Sequence, residues 1–159
     1  MTDRPRTMPR RLLLRLFHWW FLITRPMTLG VRAIVIDAEN RVLLVRHTYV
    51  PGWHFPGGGV ERGETALAAL ARELEEEGNI VLEDEPQLHG IFFNQAISPR
   101  DHVAVYIVRH FRQTSPRAPD REIAEAQFFP RNALPQGVSR AATARLAETL
   151  DGIAIAQIW

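Results

Sequence analysis

Four of the five residues from 73 to 77 are glutamate, in the run Arg72-Glu73-Leu74-Glu75-Glu76-Glu77-Gly78-Asn79. On a helix Glu73, Glu76 and Glu77 are related by three and four residues and share one face, about a third of a turn from the leucine face, while Glu75 points elsewhere. Like charges at this spacing cost roughly 0.2 to 0.5 kcal/mol per pair, and each acid in a last turn opposes the helix dipole by roughly 0.3 to 1 kcal/mol. All of these terms have the same sign, and a divalent cation would reverse every one. The chain has no cysteine, so a metal must bind through oxygen or imidazole, and hard oxygen ligands suit Mg²⁺ or Mn²⁺. The competing reading of the cluster alone is a solvated acidic face. Ahead of it, Pro56-Gly57-Gly58-Gly59 lets the backbone approach a ligand closely, offering carbonyls to a metal or amides to a phosphate. Read blandly, these glycines make a tight turn into a helix.

The elements that must position these groups are legible from periodicity. Residues 28–36 and 42–46 are β-branched-rich runs joined by Asp37-Ala38-Glu39-Asn40-Arg41, a pattern that predicts a hairpin. A helix is expected from about Thr65 to Glu77, with Leu67, Leu70, Ala71 and Leu74 as its apolar face. Further strands are expected at about 88–94, 103–112 and 123–129, and a closing helix from Ser139 to Leu150 with Ser139 as its cap. This order indicates a mixed α/β layer fold.

At 159 residues the chain is the size of one main domain. Its net charge of +1 gives no reason to expect a specific nucleic-acid partner. Residues 1–26 hold six arginines and one acid. Within them, residues 10–23 read as a helix apolar nearly all round, with a narrow polar stripe through Arg11, Arg15, His18 and Arg25. Such a helix needs a partner surface: its own domain, a homodimer partner, or a membrane surface met through residues 10–25. It is too short to span a bilayer, and Trp19-Trp20-Phe21 is not followed by a signal-peptide cleavage pattern. A cytoplasmic location is expected.

Together and at this spacing, Gly58, Glu64 and Arg72-Glu73-Leu74-Glu75-Glu76-Glu77-Gly78-Asn79-Ile80 resemble the Nudix box. Such a match arises by chance on the order of once in 10⁸ starting points, so coincidence does not compete. One position departs from the pattern, Asn79 standing where the family has glycine; asparagine is the next most tolerant residue for a left-handed helix cap. The resemblance covers roughly residues 29–150 and implies an α/β/α sandwich with a mixed, curved sheet, divided as a 1–26 extension and a 27–159 domain.

The implied activity is Mg²⁺-dependent hydrolysis, with Mn²⁺ as a substitute, of the pyrophosphate bond in a nucleoside diphosphate linked to X: a nucleotide sugar, an ADP-ribose-like compound or a nucleoside triphosphate. The alternative is a nucleotide-binding sensor without turnover, which loss of box glutamates would mark; none is lost. Carried across, Glu73, Glu76 and Glu77, with a carbonyl of the Gly57-Gly58 turn, are metal ligands. Arg72 and Glu64 orient them, Gly58 and Gly59 offer amides to substrate phosphate, and the general base is Glu73, Glu122 or Glu125. Glu122 and Glu125 also fit as solvent-facing residues at a strand start. Arg46, at the end of the second strand, is a candidate phosphate ligand or an ordinary exposed arginine. Trp53, Phe92, Phe93 and Tyr106 are base-stacking platforms or core, and His54 is a weak candidate for a substrate contact. Subfamily markers downstream do not fall in place at Ala96, Ile97 and Ser98, which leaves the substrate open.

Overall fold

The computed structural model describes residues 14, 17, 19–21 and 23–159. Most of the expected N-terminal helix, including Arg11, Arg15 and His18 of its polar stripe, lies outside the described residues. Leu14, Phe17, Trp19, Trp20, Phe21 and Ile23 are helical with exposed side chains. Among the described residues no helix is long and apolar enough to cross a membrane.

Three strands form the largest sheet: β1 (Thr28–Val35), β4 (Gln87–Phe93) and β5 (Asp101–Val108), with β5 in the middle, parallel to β1 and antiparallel to β4. A second, antiparallel pair joins β2 (Arg41–His47) to β7 (Ile123–Pro130), and a third joins β3 (Ile80–Leu82) to β6 (Phe111–Gln113). The expected hairpin of the first two strands is therefore corrected. The turn is where the sequence places it, closed by Asp37 Oδ1, which accepts from the Glu39 and Arg41 amides, and by a single bridge between Ile36 and Val42. Beyond that bridge the strands diverge to different partners. Val31, Ala33, Ile34 and Val35 of β1 and Val42 to Val45 of β2 are all fully buried, so each strand needs cover on both faces, and distant segments supply it.

Period-two alternation along β1 distributes the core over two layers. Val31, Ala33 and Val35 pack with Ala69, Leu70 and Leu74 of helix α1 (Ala66–Gly78). Ile34 and Ile36 pack with Ala142 and Leu146 of helix α2 (Arg140–Asp151) on the other side. The result is the sandwich that the resemblance implies. Thr65 Oγ1 and Ser139 Oγ cap the two helices by accepting from the Ala68 and Ala142 amides. On α1, Ala71 is exposed and Ala69 buried in its place. At 100° per residue Glu73 and Glu77 fall between Ala69 and Leu70 on the helix wheel, so two of the acids lie inside the buried stripe rather than beside it.

The C-terminal segment closes the free edge of β4: the Phe93 amide donates to the Gln157 carbonyl at 2.9 Å and the Trp159 amide to the Phe93 carbonyl at 3.0 Å. Beneath it the buried Arg145 guanidinium bonds both carboxylate oxygens of Glu148, at 2.8 and 2.5 Å, and stacks on Phe92 4.0 Å from the ring centre.

Candidate active site

The glycine segment runs antiparallel along the other edge of β1. Val31 donates its amide to the Gly58 carbonyl at 2.8 Å, Ala33 to the Pro56 carbonyl at 2.9 Å and Val60 to the Leu29 carbonyl at 2.8 Å. The Gly58 carbonyl is thereby used in strand pairing, whereas the Gly57 carbonyl accepts no hydrogen bond among the described residues. Gly57 has φ 138°, and a Cβ there would lie 2.1 Å from the Val31 carbonyl oxygen, so the backbone itself demands glycine. At Gly58 the demand comes from the site: a Cβ would lie 2.2 Å from Glu73 Oε1.

Helix α1 brings its acids against this segment. Glu77 Oε2 accepts the Gly57 amide at 2.7 Å, and Glu77 Oε1 lies 3.5 Å from His47 Nε2. Burial pushes the Glu77 carboxyl up to about 7; the Gly57 amide and Arg32 hold it down, while Glu73 and Glu122 push it further up. Burial, with Arg32 and His54, pulls His47 below its ordinary value. Glu73 Oε1 accepts from Arg72 Nη1 at 2.7 Å, and Glu76, with its side chain 61% exposed, stands at the rim 3.5 Å from the same guanidinium. Arg72 is fixed in turn by Glu64, through Nε at 3.0 Å and Nη2 at 3.2 Å, and by the Gly59 carbonyl. Glu64 first, then Glu73, holds Arg72 above its ordinary value. The guanidinium is a spacer that aims Glu73 and ties the helix to the loop.

Asn79 ends α1 in the left-handed conformation, φ 53° and ψ 36°, with its amide donating to the Glu75 and Leu74 carbonyls. The one position out of pattern thus performs the cap that glycine would perform. Its side chain adds what glycine lacks: Nδ2 donates to Ser115 Oγ at 3.0 Å and to the Ser115 and Pro116 carbonyls. From there the 114–122 segment returns along the helix end. Arg117 donates to the Glu76 carbonyl at 2.7 Å and pairs with Asp120. Asp120 Oδ1 accepts the Glu122 and Ile123 amides, both at 2.8 Å, and these amides and Arg117 hold its carboxyl down to about 2. Glu122 is thereby carried over the glutamates, where Oε1 accepts from the Tyr49 hydroxyl at 3.2 Å.

Two adjoining cavities result. One, of about 310 Å³, is lined by Arg32, His47, Tyr49, Gly57 to Gly59, Glu73, Glu77 and Glu122; the other, of about 260 Å³, by Glu73, Glu76, Glu77, Arg117, Asp120 and Glu122. Among the described residues no three carboxylate or imidazole groups already stand as a closed metal cage. The donors nonetheless fit a hard cation: three carboxylates on one helix, one of them buried at the cost of its charge, and a carbonyl without a partner. An open set of this kind suits an ion that keeps places for water and phosphate oxygens.

A comparison with protein families matches the NUDIX domain over residues 26–150. The chain belongs to the Nudix family. An ADP-ribose pyrophosphatase of Methanocaldococcus jannaschii is 31% identical over 106 residues, 64% of this Nudix chain and 62% of that protein. An RNA pyrophosphohydrolase of Halorhodospira halophila is 51% identical over 48 residues, 30% of this chain and 26% of that protein. The chain therefore spans less than two thirds of the length of these relatives. Among solved structures, a MutT NUDIX hydrolase from Burkholderia pseudomallei aligns with TM-score 0.64 at 26% identity, over 75% of this chain and 95% of its own. A UDP-X diphosphatase aligns with TM-score 0.60 at 21% identity, over 99% of this chain and 88% of its own, and shares the fold.

The residues expected from the Nudix box come together: Gly57, Gly58, Gly59, Glu64, Arg72, Glu73, Glu76 and Glu77. Outside the box the placement differs. Glu122 lines both cavities. Arg46 and Glu125 face each other in register on β2 and β7, bonded at 2.9 Å, with Arg46 over the Trp53 ring, and neither lines the cavities. Successive residues of a strand face opposite sides, so His47 lines the cavity while Arg46 faces away from it. Trp53, Phe92 and Tyr106 are core, and Phe93 packs on His102. His54 lines the larger cavity, with Nε2 3.0 Å from the Pro51 carbonyl. Arg32, His47, Tyr49, Arg117 and Asp120 escaped sequence reasoning. Only Arg32 carried a signal, as a charge inside the apolar run Val31-Arg32-Ala33-Ile34.

Proposed function

We propose that this chain hydrolyses the pyrophosphate bond of a nucleoside diphosphate linked to X, with Mg²⁺, or Mn²⁺ in its place, held by Glu73, Glu76, Glu77 and the Gly57 carbonyl. The observation that carries this reading is the buried Glu77 carboxylate, gathered with Glu73 and Glu122 around one cavity: the arrangement is costly for the protein alone and favourable around a cation. When bound, the ion neutralises the diphosphate and lowers the pKa of an attacking water.

The chain's own groups do the rest. Arg72, braced by Glu64, sets the direction of Glu73. Gly58 and Gly59 keep the floor free of side chains where the diphosphate must approach. Glu122 is the general base in this reading, since Glu125 is paired with Arg46 and Glu73 with Arg72; it takes the water's proton from the cavity mouth, oriented by Tyr49. Residues 27–159 are the catalytic unit, residues 1–26 an extension to it, and the location cytoplasmic.

The ADP-ribose pyrophosphatase shares a longer stretch with this chain than the RNA pyrophosphohydrolase does, which makes ADP-ribose the first compound to assay. The test is a panel of ADP-ribose, nucleotide sugars, nucleoside triphosphates and 5′-triphosphorylated RNA, with product nucleotide, phosphate and pyrophosphate measured separately. Hydrolysis that stops on chelation and returns with Mg²⁺ is expected. Tight binding of these compounds without turnover would overturn the enzyme reading in favour of a sensor.

A further inference from the structure

Arg32 sits in the middle of β1 among fully buried residues, Val31, Ala33 and Ile34, where a cation is costly unless it is paired. It is not paired: among the described residues no carboxylate lies within 4 Å of it, and its Nη1 is buried with no hydrogen-bond partner. Burial pulls its proton affinity below the ordinary value, opposed by Glu77 and then Glu73 across the cavity. The acids that might have closed on it are engaged elsewhere, Glu77 by the Gly57 amide and Glu73 by Arg72. The backbone beneath is fixed, since Gly57 packs so closely that a Cβ there would come within 2.9 Å of the Arg32 Cα. Arg32 is among the residues lining the cavity of about 310 Å³ that also holds the glycine floor, Glu73, Glu77 and Glu122.

A donor without a partner, on a residue that lines a cavity, is provision for an acceptor that arrives from outside. Carboxylates already crowd the opposite wall, so the acceptor must be anionic and must bring its own neutralising partner there. A diphosphate with a divalent cation meets both demands. We propose that Arg32 is a substrate-binding residue whose guanidinium donates to the diphosphate oxygens that the ion on the glutamates leaves free. Guanidinium geometry suits this task, because its planar fork bonds two phosphate oxygens at once. Arg32 thus takes the phosphate role for which Arg46 was the sequence candidate. The inference rests on the hydrolase reading of the same cavity.

The test separates the two. Binding of imidodiphosphate, a pyrophosphate whose bridge resists hydrolysis, is titrated calorimetrically with Mg²⁺ present, and Mn²⁺ binding is titrated without it. For Arg32→Gln the expected result is imidodiphosphate affinity about 10- to 100-fold weaker, the loss of one charged hydrogen-bond pair, with Mn²⁺ affinity within about threefold. The melting temperature is expected not to fall, since an unpaired buried cation is removed; a purely structural arginine would lower it instead. Arg32→Lys, which keeps the charge and loses the fork, should weaken imidodiphosphate binding by about 3- to 10-fold and decides the matter if the glutamine variant does not fold. Wild-type affinity in either folded variant overturns the role of Arg32 while leaving the hydrolase reading intact. Failure of the wild-type protein both to bind imidodiphosphate and to hydrolyse any compound of the panel overturns the hydrolase reading, and this inference with it.

Discussion

Glu77 combines a buried carboxylate with a place on the proposed metal face, and the two pull its protonation in opposite directions. Its folded-state pKa, about 7, lies above the unfolded carboxyl value near 4.3. The folded protein therefore holds the proton more tightly, and this contribution to stability is full below about pH 4.3 and is lost as pH rises through 7. Each tenfold change in proton affinity is worth about 1.4 kcal/mol, so the loss is on the order of 4 kcal/mol. His47, pulled down by burial, contributes with the opposite sign, so the measurement must be a difference. In the presence of chelator, the melting temperature of wild type relative to Glu77→Gln is expected to fall between pH 5 and 7.5, and Mg²⁺ at pH 7.5 should restore it. A flat difference would show that Glu77 is not titrating in this window. Gly58 makes a second prediction at this scale. Its φ is open to other residues, and the obstacle to a Cβ is the Glu73 carboxylate at 2.2 Å. Gly58→Ala should fold and yet lose about 10²-fold in kcat, the cost of displacing an aimed group by an ångström. Turnover equal to wild type would mean that Glu73 is free to move without consequence.

Two elements meet at the site, and neither is sufficient alone. Helix α1 supplies the proposed ligands, while the 114–122 segment supplies Glu122 and is pinned to the helix end by Asn79, Arg117 and the Asp120 turn. Because Asp120 holds the Glu122 amide rather than its carboxylate, its removal should loosen the proposed base without removing it. Glu122→Gln is expected to lower kcat by about 10²- to 10⁴-fold, the range for a general base, and Asp120→Ala by about 10-fold. In both, Mn²⁺ affinity should remain within a few-fold of wild type. An Asp120→Ala enzyme with unchanged kcat would sever the link between the loop turn and the base. Asn79 shows why a departure from a family pattern need not be a defect: the left-handed residue at the end of α1 is an anchor for the loop as well as a cap.

At the scale of the molecule, the site lies where the glycine edge of β1, the C-terminal half of α1 and the start of β7 converge. Residues 152–159 cover the edge of β4 and set Trp159 against Phe92 and Arg145. The described N-terminal residues present Trp19, Trp20 and Phe21 outward and line neither cavity of the site. Deleting residues 1–26 is therefore expected to leave a folded protein with the panel activity of the full chain, measured by circular dichroism and product release. Loss of activity with retained fold would place that segment in the site after all.

Much of this was legible in the residues themselves. Local chemistry fixes a helix with Thr65 and Asn79 at its ends, an acidic face opposed to its own dipole, and a glycine segment that permits close approach, because each depends on neighbours a few positions apart. The pairing of β1 with β5 rather than with β2, the partnership of Arg46 with Glu125, and the gathering of Arg32, Tyr49 and Glu122 depend on register between segments as much as 90 residues apart. Strand periodicity states which faces are apolar and not which strand lies beside which. The amino-acid order thus determined the acidic helix and its proposed ligands, while the tertiary structure decided which of the remaining charges would face them.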